Sequence, residues 1–242
     1  MTNPRPQLFG MLAGLFLAAG LVMSSMLATT TWLKVKNSQF ITVKGSARKH
    51  VDSDLVVWRG TFVAEAPALL EAHRQLQAHQ ALVKEFLRDN GVTNATFNPV
   101  VIEELKAEKN AGGLKQDETI GYRLSQMVRV ESDDLNRIDN LDTSKLVEKG
   151  VMFTSEAPQY IYTKVGEEKI EMLADATKDA RARADQIAAQ GQRTIARLHD
   201  ADMGVFQITA RNVTRTSWEG ESDNTSRQKT ITAVVTATFS LN

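Results

Sequence analysis

Hydrophobic and polar positions follow several different rhythms along the chain, and the first is no rhythm at all. From Leu8 to Ala28 the run "LFGMLAGLFLAAGLVMSSMLA" carries no charge. As a helix it would reach about 32 Å, the thickness of a bilayer's hydrocarbon core. A cleavable signal normally has a shorter apolar stretch followed by a small-x-small site. Here the end reads Ser24-Ser25-Met26-Leu27-Ala28, with large residues between the small ones, which favours a retained anchor over a cleaved signal. The resulting division is a cytoplasmic tail at 1–7, a transmembrane anchor or uncleaved signal at 8–28, a linker at 29–37 and an exported domain at 38–242. Arg5 on one side and Lys34 and Lys36 on the other barely discriminate orientation. The short preceding tail favours export of the large domain.

Beyond residue 37 the periodicity alternates between strand-like and helix-like. "QFITVKG" and "SDLVVWRGTFVAEA" read as strands. Pro67 fits the first turn of a helix of about 23 residues, on which Leu69, Ala72, Leu76, Val83, Phe86 and Leu87 form an apolar stripe and Gly91 supplies the cap. "ATFNPVVIEEL" and "TIGYRLSQMVRVES" predict antiparallel neighbours joined by the polar tip "KAEKNAGGLKQDE". "SDDLNRIDNLDTSKLVEKG" reads as helix broken near Thr143, and "VMFTSEAPQYIYTKV" as a strand interrupted at Pro158. This succession matches a ferredoxin-like order of strands and helices in an α+β domain. It continues into a long helix, "EEKIEMLADATKDARARADQIAAQ", stopping at Gly191, and a hairpin with strands near Val205–Thr214 and Thr230–Leu241 about a second polar tip.

Composition narrows the chemistry. There is no Cys, which removes thiol catalysis, Cys-ligated zinc and iron–sulfur clusters and suits an oxidising compartment. Lys plus Arg equals Asp plus Glu at 29 each, leaving no excess charge to neutralise nucleic-acid phosphates. His73 and His79 are separated by about 600° of helix rotation and cannot share a metal; His50 and His199 lie far apart in sequence. No Gly-x-Ser-x-Gly or phosphate-binding glycine loop is present. The acidic residues Glu131, Asp133 and Asp134 read as helix-start capping rather than a calcium loop. No catalytic, cofactor or metal site and no enzymatic activity are expected.

Four stretches carry a family resemblance: "ITVKGSARKHVDSDLVVWRGTF", "LRDNGVTNATFNPVVIEE", "GYRLSQMVRVESDDLNRIDNLDTSKLVEKGV" and "DATKDARARADQIAAQGQRTIARLHD". In this order and spacing they resemble the SIMPL-domain family of bacterial envelope proteins, which includes periplasmic immunogens. Many members have a G-x-G-type opening where this chain has Gly45-Ser46-Ala47, and a proline before the aspartate where it has Val51-Asp52. The resemblance implies export, an α+β domain, homo-oligomeric rings or channel-like bodies in some members and a link to envelope and oxidative stress. It offers no catalytic residues.

The expected protein is therefore single-pass in the bacterial inner membrane, with a periplasmic domain that self-assembles. Gly10, Gly14 and Ala18 have the small-xxx-small spacing of packed membrane helices, and Trp32 is placed for the lipid interface. Ala180, Ala184 and Ala188 on the long helix are candidate subunit contacts. The alternative is a soluble periplasmic module that captures a partner protein or ligand through the polar tips around Gly112 and Glu219.

Overall fold

The computed structural model describes residues 6–37, 39–107, 119–213 and 219–242. Helix α1 (Pro6–Asn37) is continuous, so the stretch at 29–37 expected as a linker forms its last turns. Strands β1 (Phe40–Asp52) and β2 (Leu55–Ala66) lead into α2 (Leu69–Asp89), then β3 (Ala95–Phe97), β4 (Val101–Lys106) and β5 (Thr119–Ser132). Two short helices, α3 (Leu135–Asp139) and α4 (Ser144–Glu148), precede β6 (Met152–Ser155) and β7 (Gln159–Ile161). The long α5 (Val165–Gln190) is followed by β8 (Ile195–Met203), β9 (Gln207–Ala210), β10 (Glu221–Ser222) and β11 (Gln228–Leu241). The chain divides into two compact units, one of Met1–Ala47, Leu173–Gly204 and Val234–Asn242, the other of Arg48–Met172 and Val205–Ala233. The stretch 38–242, expected as the exported domain, contributes to both units, and β1, α5 and β11 are continuous from one into the other.

The second unit holds an antiparallel sheet in which β2 and β5 are central. Their register runs from Val56 opposite Ser132 to Ala66 opposite Tyr122. β3 and β4 pair with the far edge of β5, and β6 and β7 with the far edge of β2. Alternate residues of the two central strands, Val56, Trp58, Phe62 and Ala64 with Leu124, Val128 and Val130, join one core cluster with Ala72, Leu76, Val83, Phe86 and Leu87 of α2. The alternation of a half-buried strand and the stripe of an amphipathic helix meet there. Leu69, expected on that stripe, is exposed, and α2 begins after Pro67 rather than over it. The breaks at Pro99 and Pro158 fall between β3 and β4 and between β6 and β7, where a missing N–H does not interrupt a ladder. In the same unit β9 pairs antiparallel with the first part of β11 and parallel with β10.

In the first unit β8 pairs antiparallel with the last part of β11, with irregular register around Phe239. The sequence reading did not anticipate β8, because its residues after Ile195 are exposed on both faces and show no alternation. Its strand character comes from pairing alone. Ala180 and Ala184 have no exposed surface and Ala188 only 4 %, so they are interior positions of this chain and have no area to offer another subunit. Gly45 explains the packing. A Cβ there would lie 2.1 Å from the Ala176 carbonyl oxygen and 2.3 Å from the Ala180 nitrogen, so the strand backbone rests directly on a helix surface of alanines. Beside it the Ser46 N–H donates to Asp179 Oδ2 at 2.8 Å, and Arg183 Nε donates to the same oxygen at 2.9 Å.

Candidate functional site

A polar cleft of about 530 Å³ in the second unit is lined by Asp52, Ser53, Asp133, Asp134, Leu135, Asn136, Arg227 and Gln228. Three separate pieces of chain form it: the turn between β1 and β2, the entry to α3, and the start of β11. The turn is fixed by Ser53 N–H donating to the Arg227 carbonyl at 2.9 Å, and by Thr163 donating to both oxygens of Asp54, each at 2.8 Å. At the α3 entry Asp134 Oδ1 accepts the Arg137 N–H at 3.0 Å, and its Oδ2 lies 3.1 Å from the Arg137 guanidinium. Asp134 is the helix-capping residue its position implied.

Arg227 is held by one lining residue and one beyond the lining. Its Nη1 donates to Asn136 Oδ1 at 2.7 Å and lies 3.5 Å from Asp139 Oδ2. Tyr160 donates its hydroxyl to Asp139 Oδ1 at 2.5 Å; burial, with Asp139 adding to it, pushes the Tyr160 phenol up to about 12. The loop leading to Arg227 is anchored by Asp223, which accepts from the Thr225 N–H and hydroxyl and the Ser226 N–H. Lys229 beneath is 1 % exposed; its ammonium donates to the Asp223 carbonyl and lies 3.5 Å from Asp223 Oδ2. Burial opposes ionisation of Asp223, yet those hydrogen bonds and the Lys229 charge outweigh it and hold the carboxyl at about 2. Burial, ahead of the attraction of Asp223, lowers the Lys229 ammonium.

Three lining groups remain unpartnered. Asp52 and Asp133 are exposed and form no ion pair or hydrogen bond among the described residues. Ser53 is 6 % exposed and its hydroxyl has no partner. Sequence reasoning missed this cleft, because its three pieces of chain are separated by eighty or more positions at each step and only the Asp133-Asp134 pair stands out locally. A second concavity of about 410 Å³ is apolar, lined by Leu69, Leu70, His73, Val100, Ile102 and Leu124.

The positions singled out in α1 are exposed. Gly10 and Gly14 have open space where a Cβ would stand, Ala18 is exposed, and Trp32 is 70 % exposed just beyond the apolar span Gly10–Thr30. That span is long and apolar enough to be a membrane crossing or a signal sequence. Gly112 lies outside the described residues, and Glu219 sits at a turn next to Gly220. The four histidines are dispersed: His50 Nδ1 is 3.0 Å from Thr230 Oγ1, His79 Nδ1 is 3.0 Å from the Val63 carbonyl, the His199 ring lies 4.5 Å from that of Phe40, and His73 lines the apolar groove. Among the described residues no group of three His, Asp or Glu side chains is arranged to hold a metal.

An apolar N-terminal helix followed by mixed α and β units with a polar cleft describes a class of protein. The chain belongs to the SIMPL family, described as "Protein of unknown function (DUF541)", which it matches over residues 41–239. No curated protein matches the chain.

Proposed function

We propose that this protein is a single-pass envelope protein of the bacterial inner membrane, anchored through residues 8–28, whose periplasmic domain assembles into a homo-oligomeric ring or cage serving envelope or oxidative stress tolerance. It acts without enzymatic chemistry or cofactor, and its partners are the bilayer and further copies of itself. The observation that carries the reading is the exposed apolar face of α1: Met11, Leu15, Phe16, Leu17, Met23 and Met26 all present most of their surface to the surroundings, a cost in water that a bilayer removes. Gly10, Gly14 and Ala18 leave room along that helix for a second helix to approach. Tethering in one membrane plane raises the effective concentration of the exported domains. The ferredoxin-like reading of the second unit draws its support from the central placement of β2 and β5.

The test is native mass spectrometry of the full chain gently extracted from membranes. A mass that is a multiple of the uncut chain is the expected result. A clipped monomer would overturn both anchor and assembly, and would favour the soluble module that captures a partner protein or ligand through its polar tips.

A further inference from the structure

We propose that the cleft between the β1–β2 turn, the α3 entry and the start of β11 binds a small organic polycation carrying primary ammonium groups, of the polyamine class. This goes beyond the assembly reading and does not depend on it. The lining holds three carboxylates and one guanidinium. Asp134 is committed to Arg137, and Arg227 to Asn136 and Asp139. What remains is a surplus of negative charge on Asp52 and Asp133, both free to turn toward a ligand.

The second observation is independent of that charge. Ser53 is more than nine-tenths buried, sits in the lining, and has a hydroxyl with no partner. A buried polar group without a hydrogen bond costs free energy, and such groups in native proteins are ordinarily satisfied. Each ammonium group brings donors and no acceptor, so the several ammonium groups of one polycation can serve a hydroxyl lone pair and two carboxylates spread along the same cleft. Leu135 adds an apolar stretch of lining suited to the methylene chain between two amines.

The alternatives fit less well. A bare divalent ion needs several oxygen ligands converging within a few ångströms, and the described carboxylates do not form such a group. The volume, about 530 Å³, is in the range of small-molecule sites rather than ion sites. An anion would meet uncompensated carboxylates, since the one guanidinium in the lining is already paired.

The experiment is isothermal titration calorimetry of the full chain in nonionic detergent with spermidine and with putrescine, at low and moderate salt. The expected result is saturable binding that Asp52→Asn and Asp133→Asn each weaken about tenfold, the loss of one charge-assisted hydrogen bond, and that the double variant abolishes. Ser53→Ala weakens it less, and Glu103→Gln, in the Arg123 ion pair on β4, leaves it unchanged. Asp52 and Asp133 are exposed and make no internal bond, so these variants keep the wild-type melting curve, which is measured alongside. Absence of saturable heat with either amine overturns the proposal. So does equal binding by the double variant, which would mean attraction to an acidic surface at large. Binding of calcium or magnesium, or of a lysine-rich peptide, that depends on Asp52 and Asp133 while spermidine fails would also overturn it.

Discussion

Lys229 is the residue whose environment is furthest from its preference. Its ammonium is 1 % exposed and relies on the carboxylate and carbonyl of Asp223. Removing either member strands the other's charge, but unequally: without Asp223 the Lys229 ammonium loses its only carboxylate, whereas without Lys229 the Asp223 carboxylate keeps its hydrogen bonds from Thr225 and Ser226. Asp223→Asn is therefore expected to destabilise the protein by about 3 kcal/mol, and Lys229→Met by clearly less, read from the denaturation midpoints of the two variants. The sign with pH follows from the same pair. The Asp223 carboxyl is held at about 2, below its ordinary 3.8, so its contribution is complete above that ordinary value and is lost as the pH falls through about 2. Asp223→Asn should flatten stability across that window. At this scale the sequence was legible where the signal is local: Asp134 was recognisable as a cap from its place before "LNRID". Asp52, Ser53 and Arg227 were not, because only tertiary folding brings the β1–β2 turn to the start of β11.

Among the elements, helix ends give the sharpest contrast between pattern and outcome. α2 and α4 finish as the sequence implies, with Gly91 at φ +72° and Gly150 at φ +81°, each followed by an N–H bonded back into the last turn: Val92 to Leu87 at 2.8 Å and Val151 to Leu146 at 3.0 Å. α5 uses the same closure, Arg193 N–H to the Ala188 carbonyl at 2.9 Å, but the left-handed residue is Gln192, at φ 56°, one position after the glycine expected to stop the helix. A side chain pays for that conformation where glycine does not. Gln192→Gly should raise stability by about 1 kcal/mol, and Gly91→Ala lower it by about the same, compared by thermal melting. The small residues of α5 illustrate the other limit of reading a sequence. Spacing at every fourth residue from Ala176 to Ala188 fixes a face, but the same face serves a neighbouring helix, a sheet or another subunit. The contact of Gly45 with the Ala176 and Ala180 backbone decides the matter in favour of the chain's own interior.

For the whole molecule the decisive contrast is between a balanced charge and an unbalanced distribution of apolar surface. With 29 basic and 29 acidic residues, no net charge holds the chain to an anionic membrane surface. The exposed span Gly10–Thr30, in contrast, matches the bilayer's hydrocarbon thickness. These two facts make different demands on an extraction experiment. Surface attraction is screened by salt, with a Debye length of about 3 Å at 1 M, whereas an inserted helix is held by apolar burial that salt does not weaken. The full chain should accordingly stay in the membrane pellet through high-salt and alkaline washes and leave it only with detergent, while a chain begun at residue 38 should stay in the supernatant. Release of the full chain by salt would place it at the membrane surface instead. A pelleted product lacking the first residues would mean that something other than α1 holds it there, and the exposed Leu69, Leu70, Val100 and Ile102 would then be the next apolar surface to substitute.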